Sequence, residues 1–351
     1  MFGSHLSVAG GMVNALREAE ALSMDTVQVF TKNQRQWAAP PLDAGQSGAW
    51  LTELRRMQWT TRTVSHASYL INLATPDDVL WEKSIAAMKD EIERCAKLEI
   101  PFLVHHPGAH VGSGVEAGLR RIAKAYKKLM KETKGCGVVA CLEATAGGGS
   151  TLGRSFEELA ALKGMIEEEA GREAEGRVGF CVDTCHVLAA GYDIATTDKG
   201  DGTGKSRSLD EGAKLGRALL EEFDRVCGLK HLRVLHLNDS VGSRGSHVDR
   251  HAHVGEGKVA LGAFAAVVNH GMTAGVPMIL ETPKGEDEEG RPFDSVNLAK
   301  LRMLLSGGDA PAKASEGVKV KKRKIDASEK GSDAHNTPEP AKSKRTGRKA
   351  R

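Results

Sequence analysis

Seven short β-branched runs in this chain stop on a side chain able to hold a divalent cation: His5, His66, His106, Glu143, Asp183, His236 and Glu281. Any one alone reads as a capping or loop residue, but His, Asp and Glu are too sparse for chance to place them at seven run ends of eight. Two local pairs extend the set. In Asp183-Thr184-Cys185-His186 a turn after the run can aim both Asp183 and His186 inward, and in Asp249-Arg250-His251 the i, i+2 spacing puts two ligands on one side of an extended segment. With His5 set aside, the candidate ligands are His66, His106, Glu143, Asp183, His186, His236, Asp249, His251 and Glu281. Imidazole with carboxylate suits zinc, with manganese and iron as substitutes. Nine donors exceed one ion's needs and suit two or three ions with a bridging carboxylate. Without cations, such a cluster would repel itself or stay unsatisfied. Ions about 3.5–4 Å apart can activate water, clamp phosphate oxygens and stabilise a leaving alkoxide, which is phosphodiester hydrolysis. The chain has neither a G-x-x-x-x-G-K-[ST] loop nor a G-x-S-x-G elbow, which argues against P-loop nucleotide hydrolysis and serine hydrolysis.

Residues so far apart can meet only if their strands end on one face. The runs are Phe2–His5, Thr26–Phe30, Arg62–His66, Phe102–His106, Val138–Glu143, Val178–Asp183, Leu232–His236 and Pro277–Glu281, with helical periodicity near 10–22, 43–58, 76–99, 115–134, 155–170, 208–226, 259–270 and 295–305. Eight strand–helix units in about 300 residues predict an α/β fold, a (β/α)8 TIM barrel, whose strand C-termini gather on the face that carries active sites. The expected organisation is one catalytic domain over 1–306 and a disordered basic tail over 307–351, where large apolar residues nearly vanish. Residues 198–208 (DKGDGTGKSRS) are expected to be a mobile surface insertion.

A chain of 351 residues with 40% hydrophobic content can build one large core. No run approaches the roughly 18 apolar residues of a membrane span, and the N-terminus lacks signal or transit character, so an intracellular protein without a membrane partner is expected. Six scattered cysteines read as reduced thiols, mostly buried. The net charge of +3 hides an uneven division: residues 311–351 carry 13 Lys/Arg against 5 Asp/Glu, so the body before them is acidic. An acidic body fits a DNA enzyme if cations neutralise carboxylates within its binding face.

Six motifs occur in one order: Thr31-Lys32-Asn33-Gln34-Arg35-Gln36-Trp37, Ser68-Tyr69-Leu70-Ile71-Asn72-Leu73, His106-Pro107-Gly108, Asp183-Thr184-Cys185-His186, His236-Leu237-Asn238-Asp239, and Asp249-Arg250-His251 through Gly255-Glu256-Gly257. From about residue 2 to 283 the chain resembles the endonuclease IV family (AP endonuclease family 2), in a eukaryotic-type form with a basic C-terminal tail. The resemblance implies three zinc ions: His66 and His106 complete one site, Asp183, His236 and Glu281 a second, and His186, Asp249 and His251 the third, with catalytic Glu143 bridging the first two. It also implies that Arg35, Tyr69 and Leu70 enter the duplex at the lesion. An apolar wedge with an Arg can hold a kinked duplex, and a nucleotide without a base loses little stacking on flipping. The bland readings are a solvated charge for Arg35 and helix packing for Tyr69 and Leu70. The family has Asn after the bridging Glu where this chain has Ala144, which removes an amide from the ligand surroundings.

The expected function is zinc-dependent hydrolysis of the phosphodiester 5′ to abasic sites in double-stranded DNA, for base excision repair, with cleaning of blocked 3′ ends by the same site. The protein is expected to act as a monomer. Lys319-Val320-Lys321-Lys322-Arg323-Lys324 and Lys342-Ser343-Lys344-Arg345 point to nuclear import machinery and the nucleus, with the mitochondrion as the alternative. Rival readings are a sugar isomerase, which explains the ligands but not Arg35, Tyr69 or the tail, and a lesion-binding protein without turnover.

Overall fold

The structure is a computed structural model that describes residues 1–305; the expected tail, 307–351, lies outside the described residues. Its strands are β1 (Phe2–His5), β2 (Thr26–Val29), β3 (Val64–His66), β4 (Phe102–His105), β5 (Val139–Glu143), β6 (Val178–Asp183), β7 (Leu232–His236), a short antiparallel pair β8 (Asp239–Ser240) and β9 (His251–Ala252), and β10 (Met278–Leu280). All but β8 and β9 are parallel and close into a barrel in the order β1-β10-β7-β6-β5-β4-β3-β2. The helices are α1 (Val13–Ala21), α2 (Ala44–Arg56), α3 (Asp78–Lys97), α4 (Val115–Glu132), α5 (Phe156–Ala170), α6 (Thr184–Ala190), α7 (Leu209–Val226), α8 (Leu261–Val268) and α9 (Phe293–Met303). The chain is a (β/α)8 TIM barrel, as the alternation of runs and helical periods predicts.

Local chemistry starts the helices where the barrel needs them. Asp43, Asp77 and Ser155 accept a backbone N–H at the starts of α2, α3 and α5, and Ser208 with Glu211 forms a reciprocal capping box at α7. Helices α7 and α8 approach closely: a Cβ on Gly262 would stand 2.0 Å from the Leu209 carbonyl oxygen. Only glycine permits that approach.

Two cores result. The larger lies between strands and helices, with Trp50, Tyr126, Phe156, Phe180, Phe223 and Phe264 among its fully buried side chains. The smaller fills the barrel: Val64, Val104, Cys141, Cys181, Val234 and Ile279, none exposed. Among the described residues no helix is long and apolar enough to cross a membrane.

Strand ends differ from expectation by one residue at three places. β2, β4 and β10 stop at Val29, His105 and Leu280, so Phe30, His106 and Glu281 open the following loops. Helix α6 is unexpected: Asp183 accepts the N–H groups of Cys185 (2.6 Å) and His186 (3.1 Å), so its carboxylate caps a helix where only a turn was foreseen. Residues 198–208 lie largely exposed at the surface, as expected of an insertion, and are tied down by local pairing. Thr197 pairs with Ser206, Asp198 accepts the Lys205 N–H at 2.9 Å, and the Gly200 carbonyl accepts the Arg244 N–H at 2.9 Å.

Candidate metal centre

Along a strand, side chains two apart share a face. Two residues beyond Val64, Val104, Cys141, Cys181, Val234 and Ile279 stand His66, His106, Glu143, Asp183, His236 and Glu281, so the ligand candidates form the next inward layer at the strand C-termini. His186 joins them from the first turn of α6, and Asp249 and His251 from the segment that enters β9.

Glu143 is at the centre and fully buried. Its Oε2 lies 3.1 Å from His66 Nε2 and 3.3 Å from His106 Nε2, while its Oε1 lies 3.0 Å from His236 Nδ1 and 3.3 Å from His186 Nδ1. One carboxylate thus divides four imidazoles between its two oxygens. Donor atoms of His66, His106 and Glu143 lie within 4.8 Å of one another, as do those of Glu143, Asp183, His236 and Glu281. Around His186 the grouping differs from the expected trio: it gathers with Asp249 and His106 on one side and with Asp183 and His251 on the other. The Asp249 Oδ1 still lies 3.0 Å from His186 Nε2 and 3.5 Å from His251 Nε2.

Backbone carbonyls decide which ring nitrogen faces the centre. His66, His186 and His251 donate Nδ1–H to the carbonyls of Ala67 (2.8 Å), Ala144 (2.9 Å) and Glu281 (3.0 Å), which leaves Nε2 as the free lone pair. His236 is reversed, since its Nε2 meets Gln28 Oε1 at 2.9 Å and its Nδ1 turns inward. With Nδ1–H committed to a carbonyl, the buried Nε2 atoms of neutral His186 and His251 receive no donor and face the Asp249 carboxylate, as expected of nitrogens aimed at a cation. The donor set therefore fits metal ions.

Charge is tightly coupled here. Burial alone would raise the carboxyl of Glu143, but His236 and His106 hold it well below the usual range, and His236 does the same for Glu281. Burial works against charge on His186 and His236 too, yet the carboxylates beside each push both well above an ordinary histidine. The Cys181 thiol near His236 is pushed up to about 12 by burial and stays protonated at neutral pH. All six cysteines are free thiols, five of them buried.

Three supporting residues were not foreseen. Gln28, on one of the two barrel strands without a ligand at its end, donates Nε2–H to Glu281 Oε1 (2.6 Å) while accepting from His236. Asn238 donates to Asp183 Oδ2 (2.7 Å) and accepts the Glu281 N–H (2.7 Å). Asp239 accepts four backbone N–H groups, from Ser240, Gly255, Gly257 and Val259, and so shapes the turn after His251. A Cβ on Gly257 would stand 2.4 Å from Asp239 Oδ1, which is why glycine is there. Asn238 and Asp239 stood in the His236 motif, whereas Gln28 had no signal beyond its inward position on a strand. Ala144 lacks the amide expected there, yet its backbone carbonyl orients His186.

The remaining expected residues line the rim. Arg35 is exposed in the loop after β2. In the loop after β3, Tyr69 is 53% exposed and Leu70 half-buried, and the Tyr69 ring centroid lies 5.4 Å from that of His66 and 6.2 Å from that of His106. His5, set aside as a ligand, instead contacts Gln28 and Glu281 beneath the cluster.

Residues 16–301 match the family model described as the xylose isomerase-like TIM barrel. A protein named probable endonuclease 4, from Chloroflexus aurantiacus, is 46% identical over 308 residues, which span 88% of this chain and 99% of that protein. The crystal structure of endonuclease IV from Thermus thermophilus aligns with a TM-score of 0.68 at 35% identity, over 86% of this chain and 98% of that one. A D-tagatose 3-epimerase-like protein aligns at 0.59 over 86% of this chain and 96% of its own, but at 15% identity the likeness is one of fold alone.

Proposed function

The chain belongs to the endonuclease IV family of DNA-cleaving hydrolases, and from that premise we propose that it cuts duplex DNA on the 5′ side of abasic sites with three zinc ions. The products are a 3′-hydroxyl and a 5′-deoxyribose phosphate, intermediates of base excision repair. The observation that carries the reading is that Glu143 turns Oε2 to His66 and His106 and Oε1 to His236, the placement of a carboxylate that two neighbouring cation sites would share. His66 and His106 would hold one ion with Glu143, and Asp183, His236 and Glu281 the next; His186, Asp249 and His251 would hold the third.

Bound zinc supplies Lewis acidity to the phosphoryl group and its leaving oxygen. The chain's own residues do the rest. Gln28, Asn238 and the Ala67, Ala144 and Glu281 carbonyls keep the ligands aimed. Tyr69 and Leu70 wedge into the duplex beside the centre, and Arg35 holds the bent backbone, so that the abasic sugar leaves the stack. Removal of a 3′-blocking group releases the same 3′-hydroxyl and uses the same residues. We further propose that the protein enters the nucleus, on the strength of the basic clusters at 319–324 and 342–345, and that it acts as a monomer; a fluorescent fusion that stays outside the nucleus would overturn the first of these.

The test is incision of a duplex with one abasic analogue by protein as purified, after chelation and after zinc is returned. Cleavage 5′ to the lesion that disappears on chelation and returns with zinc supports the reading. Protein that carries about three zinc ions and leaves this duplex intact overturns it.

A further inference from the structure

Apart from the metal centre, one cluster of charge is deeply buried among the described residues. The side chains of Lys32 and Glu91 are each 1% exposed, with Lys32 Nζ 3.5 Å from Glu91 Oε1 and 2.9 Å from Asp90 Oδ2. One turn along α3, Arg94 bonds Asp90 through Nε and reaches the Pro40 carbonyl at 2.6 Å. None of these residues is a metal-ligand candidate.

Glu91 accepts from two loops at once. Thr31 Oγ1, in the loop after β2, donates to its Oε2 at 2.8 Å; the Ser68 N–H, in the loop after β3, donates to its Oε1 at 3.2 Å. The same two loops are tied directly, since Ser68 Oγ donates to the Gln34 carbonyl at 2.7 Å. Arg35 follows Gln34, and Tyr69 and Leu70 follow Ser68. Apolar packing of equal volume would serve stability as well as a buried ion pair does, because taking both charges out of water is costly. What apolar side chains lack is an acceptor for Thr31 and Ser68 together.

We propose that Glu91, neutralised by Lys32, is a positioning residue that locks the Arg35 loop and the Tyr69–Leu70 loop into one unit before DNA arrives. Ordering two independent loops during binding would otherwise be drawn from the binding energy. The proposal rests on the reading that these loops meet the lesion.

The experiment compares the full chain with E91Q, which keeps the volume and one acceptor, and with K32M/E91L, which removes both charges and every acceptor while leaving no lone buried ion. Amide hydrogen exchange, metal content and abasic-duplex kinetics are measured on each. Expected for K32M/E91L are wild-type metal content, faster exchange in residues 31–40 and 68–73 together, and a KM for abasic duplex raised about 10-fold with kcat changed less than about threefold. E91Q falls between this variant and the parent. Exchange that rises in one loop only, or a KM unchanged while both loops loosen, overturns the proposal. Should K32M/E91L fail to fold, E91Q alone decides by the same two criteria. Should the parent not incise abasic DNA, the functional reading fails while the exchange result still judges the coupling of the loops.

Discussion

Two layers of side chains fill the barrel, one rung apart on the same strands. The lower is Val64, Val104, Cys141, Cys181, Val234 and Ile279; the upper is His66, His106, Glu143, Asp183, His236 and Glu281. A spacing of about 6.6 Å along each strand separates a layer that is complete as it stands from one that is not. In the lower layer dispersion and burial satisfy every atom; in the upper, imidazole nitrogens are packed at 3.0–3.3 Å around the Glu143 carboxylate. Cys181 shows how sharp the boundary is: beside His236, it still behaves as an apolar filler because burial keeps its thiol protonated. The difference teaches that the barrel's stability and its chemistry are written on the same strands by choice of residue at alternate rungs.

Glu143→Gln should break the upper layer most severely. It removes the charge shared by four imidazoles, and abasic-duplex incision should fall about 1000-fold or more with reduced metal content by elemental analysis. Retained cleavage at normal metal content would end the bridging role.

Ile279→Ala tests the other layer. Emptying this rung should cost about 3 kcal/mol of stability in denaturant unfolding, while kcat of the metal-loaded protein stays within about threefold. A large loss of kcat in a folded, metal-replete variant would show that the layers are not separable.

Gln28→Leu reaches the boundary from a strand without a ligand. With the His236 ring no longer held by Gln28 Oε1, metal affinity should drop by about 10–100-fold, measured by competition with a chromophoric chelator. An unchanged affinity would make Gln28 a filler, like the residues below it.

The smallest effect is graded with pH. His186 and His236 are raised in the metal-free fold, so their protonated forms contribute stability that is fully present below the ordinary histidine range and is lost as pH climbs through the raised values. Metal binding displaces those protons and gains with pH. The gap in Tm between zinc-loaded and chelated protein should therefore widen from about pH 6 to about pH 9, near the ordinary histidine value of about 6.5 and above; a gap that narrows would contradict the coupling.

Much of this was readable from residue types. The inward alternation, the ligands at or next to strand ends, the count of strand–helix units and the ordered motifs all depend on local spacing. His106 and Glu281 show the margin: each was expected as the last strand residue and opens a loop instead, without losing its place in the upper layer. Asp183 shows a different limit, because an aspartate able to bind metal is also a good N-cap, and only the fold reveals that one oxygen caps α6 while the other faces His236 and Asn238.

The sequence by itself determined the barrel, the face at its strand C-termini and the six candidate ligands at or next to those ends, because strand periodicity of two and the closure of parallel strands leave those side chains nowhere else to go. The tertiary structure alone decided which nitrogen each imidazole presents, how Glu143 divides its oxygens, and that Lys32 and Glu91 join two rim loops. Those outcomes hang on partners as distant as Gln28 and His236, 208 residues apart, whose meeting depends on barrel register and on packing that no local pattern encodes.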